Sequence, residues 1–213
     1  MVAKIRVTAV ALLLLAAAAC GSGDEAGDTA ADSVEGAQNA EAAAGQLSPV
    51  RSVSLAMIEF GDVATTSATR TDVRQYGVTV ATDHRGVVQA LDSLARARSL
   101  SQTETVAAKE LSDAVRLAHA GLEGPASAAF DLAYIRAQVE SHRQLLDRLE
   151  VELIPTSRDD VRQLLADVQA MEMAHLTRAR QLLAGLLGQP AEPPRSSPGA
   201  ERPTTVRTDT TAR

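Results

Sequence analysis

The chain has 213 residues, 45% of them hydrophobic, with two Tyr, two Phe and no Trp, a composition that suits helices packed on one another better than a sheet. Its formal net charge is −6, and much of that lies in residues 21–50, which hold six acids and no Lys or Arg. The rest is too mildly acidic to offer nucleic acid a basic patch, and no Gly-rich phosphate loop occurs, so both chemistries are excluded.

Residues 1–20 read MVAKIRVTAVALLLLAAAAC. Lys4 and Arg6 precede an apolar run from Val7 to Ala19 that is short for a membrane span and is followed at once by polar sequence, the pattern of a secretory signal peptide. The one cysteine, Cys20, stands behind Ala17-Ala18-Ala19, and the segment resembles the lipobox of bacterial lipoproteins. That resemblance implies an acylated Cys20 and a membrane-anchored protein of the cell envelope, held in the periplasm or at the outer membrane if the cell has two membranes. Acyl chains at ~0.8 kcal/mol per buried CH2 make such an anchor stable once there is more than one. Residues 21–47 are small, acidic and poor in large apolar groups, and are expected to be a disordered tether.

Four long helical patterns are expected in residues 48–188. Ser48-Pro49 offers a cap and a first-turn proline, followed by a stripe of Val53, Ala56, Phe60 and Val63. Thr71 is expected to cap a second helix with Val73, Tyr76, Gly77, Val80, His84, Val87, Leu91 and Leu94 on one face. Residues 99–126 form a long connection with a weaker helix, capped by Ser101 and Glu104, on which His119 is expected at the surface. Ser127 opens a third long helix carrying Phe130, Tyr134, Ala137, His142, Leu145 and Leu149 inward, with Pro155 ending it. Ser157 and Asp160 resemble a capping box for the fourth, which carries Val161, Leu164, Val168, His175, Leu182 and Leu186 and stops at Gly188. Short links make each pair an antiparallel hairpin, and the crossover between the pairs gives an all-α, ferritin-like four-helix arrangement. Gly61 and Gly77, mid-helix, are expected to let two helices approach closely, and Asp131 to favour a helix N-terminus by its charge. Residues 189–213 hold five of the eight prolines and are expected to be a disordered tail.

Glu59 with Gly61, Asp83-His84, Phe130-Asp131 with Tyr134 and His142, and His175-Leu176 arrive in this order along residues 51–187. The set resembles the family catalogued as domain of unknown function 4142. The resemblance implies an exported, ferritin-like helical domain of the envelope and supplies no reaction.

A di-iron centre in such a bundle needs a Glu on each of two helices and Glu-x-x-His on the other two. Only Glu172-x-x-His175 has that form here, because Ala81 and Gln138 stand where carboxylates would precede His84 and His142. Counted along the helices from their turns, Glu59, His84, His142, Glu172 and His175 nevertheless fall within about two helical turns of one level. They suit one divalent ion, Zn, Fe or Cu. They suit still better a hydrogen-bonded polar core, with Glu59–His84 and Glu172–His175 as structural pairs. No nucleophile with a His partner and no small-molecule substrate is indicated. The residues favour a binding or interaction module over an enzyme, its partners the membrane through the lipid and another envelope protein. The rival is a metal-binding ferritin-like oxidase or ion-handling protein.

Overall fold

A computed structural model describes residues 26–122 and 126–188. The signal segment with Cys20, the first residues of the acidic stretch and the tail 189–213 lie outside the described residues. The chain forms two compact units, Met1–Ala37 and Gln38–Arg213. Everything below concerns the second unit, apart from the first turns of the first helix.

Among the described residues every regular element is a helix, and there is no strand. Helix α1 spans Ala26–Ser67, α2 Thr71–Ala97, α3 Val106–Ala118, α4 Ala128–Arg148 and α5 Asp159–Leu186. A π turn over Leu149–Leu153 and a single turn over Ile154–Thr156 extend α4 toward α5. Among the described residues no helix is long and apolar enough to cross a membrane.

The expected tether is largely helix. Its run AEAAAG is rich in the best helix former, and Ala43, Leu47, Val50, Val53 and Met57 continue one buried stripe upstream of Ser48. Small alanines gave the stripe too little hydrophobic weight to stand out in the sequence. Pro49 therefore lies inside α1 rather than at its start. The hydrogen bond it forgoes is the one to the carbonyl four residues back, at Gly45. Ser48 does not cap α1 either. Its hydroxyl donates to the Thr103 carbonyl at 3.3 Å and accepts from the Thr105 amide at 3.1 Å, fastening the connection that leads into α3.

Helices α1 and α2 run antiparallel. Ser54 meets His84, Arg51 pairs with Asp92, and Gly61 lies against Gly77 and Ala81. A Cβ on Gly61 would sit 2.7 Å from the Gly77 carbonyl oxygen, and one on Gly77 would sit 2.7 Å from the Ala64 Cβ. Backbone meets backbone here, so any larger residue forces the helices apart, and this near-contact sets how α2 presents its inner face. Asp131 is buried in the first turn of α4, where it accepts from the Thr69 and Arg70 amides at 2.9 and 3.0 Å and from the Thr69 hydroxyl at 2.5 Å. It does more than favour its own helix: it closes the α1–α2 turn and ties α4 to it.

The remaining caps divide: Thr71 is the first residue of α2 and not its cap, a position held by Arg70, whose side chain makes no capping bond. Ser127 accepts from the Phe130 amide as expected, and Gly188 follows the end of α5 with φ +67°. Thr105, not Ser101 with Glu104, caps α3; Glu104 instead accepts from Ser52. The Ser157–Asp160 box does not form, because the Ser157 hydroxyl turns back to the Leu153 carbonyl.

His119 corrects its surface assignment. It is buried, stacked on Phe60 with ring centroids 3.9 Å apart. Its Nδ1–H donates to the Val115 carbonyl at 2.9 Å, and its Nε2 accepts from the Gln138 amide at 3.1 Å. Burial pushes its pKa down to about 4.

Candidate metal centre

Four helices bring polar side chains to one level of the core. On α2, Tyr76 and His84 lie two turns apart on the face that also buries Val73, Val80 and Val87. On α4, His142 is buried one turn beyond Gln138, on the face of Tyr134 and Leu145. On α5, Glu172 and His175 are one turn apart and share a face with Val168 and Ala179. From α1 comes Ser54, wholly buried between Val53 and Met57 and their stripe.

His84, His142 and Glu172 are completely buried, and each offers a ligand atom within 4.8 Å of those of the other two. His142 Nδ1 lies 2.5 Å from Glu172 Oε2, and His84 Nε2 lies 3.4 Å from Glu172 Oε1. The far nitrogen of each imidazole faces a hydroxyl. His84 Nδ1 is 3.1 Å from Ser54 Oγ, and His142 Nε2 is 2.9 Å from Tyr76 Oη, which also lies 3.3 Å from the His175 carbonyl.

His175 stands beside this trio. Its ring stacks on those of His142 and His84, with centroids 5.3 and 5.9 Å away, while its Nε2 points to Asp83 Oδ2 at 3.1 Å. Three imidazoles packed this closely are compatible only with neutral rings. Burial pushes the pKa of His84 down to about 4 and that of His142 down to about 3, and lowers that of His175. Burial also raises the pKa of Glu172, with neighbouring His84 and His175 pulling the other way. The 2.5 Å contact of His142 with Glu172 is therefore a hydrogen bond between a neutral ring and a carboxyl group, and the 3.4 Å approach of His84 is not an ion pair.

Two proton arrangements satisfy the network. In one, Ser54 and Tyr76 donate to the far nitrogens, and both imidazoles turn N–H groups toward Glu172. In the other, the far nitrogens donate to Ser54 and Tyr76, Tyr76 donates to the His175 carbonyl, and both imidazoles aim lone pairs at the Glu172 carboxylate. The second arrangement is repulsive alone and becomes favourable with a cation among the three. Hydroxyls on the far nitrogens are the supports that hold ligating imidazoles in one tautomer. In the first arrangement His84 Nε2 and Glu172 Oε1, 3.4 Å apart, fall outside good hydrogen-bond geometry, so both buried atoms are left without a proper partner.

Of the five residues expected at one level, Glu59 does not belong. It is exposed and pairs with Arg116 of α3 at 2.6 Å. Five residues on from Ser54, it is turned about 140° around α1 from the face that meets His84. Level along the helix was readable in the sequence, and rotation about its axis was not. Ser54 and Tyr76 went unassigned, although a polar residue within an apolar stripe is the signal that could have drawn attention to both.

Fold and site together define an all-helical, bundle-like domain with a His/Glu cluster at its centre. The chain belongs to the family Domain of unknown function (DUF4142), whose family model matches residues 28–182 and so takes in nearly the whole of α1. No curated protein and no solved structure matches the chain.

Proposed function

We propose that this is a metal-binding domain of the cell envelope, ferritin-like in arrangement, which holds one divalent transition-metal ion through His84, His142 and Glu172. The observation that carries the reading is the convergence of three completely buried ligand groups within 4.8 Å, with His84 Nε2 and Glu172 Oε1 left without hydrogen-bond partners. A polar core that served packing alone would have to bear those unmade bonds at about 1–3 kcal/mol each. Two imidazoles and a carboxylate suit borderline ions, Zn, Fe or Cu, and leave at least one coordination position open. The ferritin-like arrangement rests on two helical hairpins, α1–α2 and α4–α5, joined by the connection that carries α3. Elemental analysis of the purified protein is expected to find close to one equivalent of transition metal after exposure to it. His84→Ala and His142→Ala proteins that stay folded are expected to hold none. A wild-type protein that takes up no ion contradicts the reading.

The envelope address rests on the sequence of residues 1–20, with Cys20 directly behind the apolar run. Cys20→Ser is expected to release the protein from membranes or leave it unprocessed. A variant that still partitions with membranes into detergent like the wild type contradicts lipid anchoring.

A further inference from the structure

His84, His142 and Glu172 are completely buried, so an ion needs a way in. A cleft of ≈ 280 Å³ between α2 and α5 reaches the edge of the cluster, lined among others by Tyr76, Thr79, Asp83, Met171, His175 and Arg178. Among the three imidazoles and Glu172, His175 is the one that is not completely buried, at 4% exposure, and it forms part of the cleft's wall. Outside it stands Asp83, whose side chain is 43% exposed and whose Oδ2 lies 3.1 Å from His175 Nε2. Inside it, the His175 ring is stacked 5.3 Å from His142 and 5.9 Å from His84. A carboxylate in water, an imidazole at the boundary and the buried trio thus form an unbroken series of metal-ligating groups from solvent to core.

Building on the metal-binding reading above, we propose that Asp83 and His175 are the port through which a divalent transition-metal ion reaches and leaves the buried site. The exposed carboxylate collects the hydrated ion at the cleft mouth. His175 Nε2 then takes the ion from Asp83, and rotation of the ring inward passes it to His142, His84 and Glu172. Each transfer is a ligand exchange in which one bond to the ion forms as another breaks, and no electron moves. Because His175 Nε2 faces Asp83, 3.1 Å away, and not the trio, the two residues govern the rates of loading and release rather than the final affinity. Asp72, also in the cleft, is engaged by Arg70 at 2.6 Å, which leaves Asp83 as the carboxylate in contact with the imidazole.

Stopped-flow mixing of the purified, metal-free protein with Co2+, read by its ligand-field absorption, tests the port, and mixing of the loaded protein with chelator gives the reverse rate. Asp83→Asn and His175→Asn are expected to slow both loading and release by about tenfold or more, the scale on which charge at a cleft mouth alters association rates, with Kd within about threefold of wild type. Glu59→Gln, an exposed carboxylate on α1 remote from the cleft, is expected to change neither rate. Circular dichroism confirms that each variant is folded, and Asp83→Asn, at a half-exposed position, keeps the test available if His175→Asn does not fold. Unchanged rates in a folded Asp83→Asn protein overturn the port. A rise in Kd through faster release alone also overturns it, by making His175 a resident ligand. Absence of Co2+ binding by the wild type overturns the metal-binding reading itself, and the port with it, whereas normal binding with unaltered rates overturns the port alone.

Discussion

Lowering the pH from 7 to 5 is expected to destabilise the metal-free protein by an amount comparable to its whole folding free energy. In the folded chain His84 and His119 are pushed down to about 4 and His142 to about 3, all by burial, while the unfolded chain titrates near the ordinary value of 6.5. Below pH 6.5 the unfolded state therefore binds protons that the folded state refuses. The stability tied to these rings is complete above 6.5 and is lost as the pH falls toward 4. At pH 5 each ring accounts for about 2 kcal/mol, roughly 6 for the three, against a typical total of about 5–15 kcal/mol. His175 is lowered as well and acts in the same direction. Glu172 acts in the opposite direction. Its raised folded pKa makes the ionised form unfavourable at neutral pH, and protonation relieves that as the pH drops. One carboxyl group does not offset four imidazoles. Urea titrations between pH 7 and 5 should show the midpoint collapsing over this range, and a midpoint that holds steady would mean that the rings are solvated.

Glu172→Gln is expected to abolish tight ion binding while leaving the metal-free fold nearly intact. The substitution preserves shape and removes the negative charge that Glu172 would bring to a bound ion. Its effect on affinity should exceed the ten- to hundredfold typical of removing a group that only supports a ligand, so a loss of about 100-fold or more is expected. Stability should respond differently. The side chain sits wholly buried among neutral rings, so a neutral amide is cheaper to bury than a carboxylate, and the hydroxyls of Ser54 and Tyr76 can reverse their donor roles to suit it. The metal-free midpoint should move by no more than about 1 kcal/mol equivalent. A loss of about 3–5 kcal/mol, the cost of breaking a buried ion pair, would instead assign Glu172 a structural role with charged partners. Isothermal titration of Zn2+ and urea melts of the two proteins separate these outcomes.

The distribution of side chains explains how far the sequence could be read. Helices α2, α4 and α5 were legible because Val, Leu and Tyr recur on them at 3-4 spacing, and their stripes are the faces that lie buried. His84, His142, Glu172 and His175 were placed at one depth because the short links fix helical distance from each turn. The first turns of α1 were not legible, since Ala43 stands in the stripe without the bulk that marks a core position. Glu59 was misplaced because the phase of α1 is set by its near-contact with α2 at Gly61 and Gly77, not by spacing within α1. His119 was misread for a similar reason. What buries it is Phe60 from α1 and Gln138 from α4, and neither is implied by the pattern of its own helix.

The most direct measurement is the thermal midpoint of the purified protein at pH 7.5, treated with chelator and then supplied with Zn2+, Fe2+ or Cu2+. An ion bound only by the folded state stabilises by about 2.7 kcal/mol at a hundred times its Kd. For a domain of this size that raises the midpoint by about 5–10 °C. A rise of this order with at least one of the three ions, reversed by chelator, is expected. A midpoint indifferent to chelator and to all three would contradict the metal-binding reading and leave His84, His142 and Glu172 as a polar core that holds the helices together without an ion.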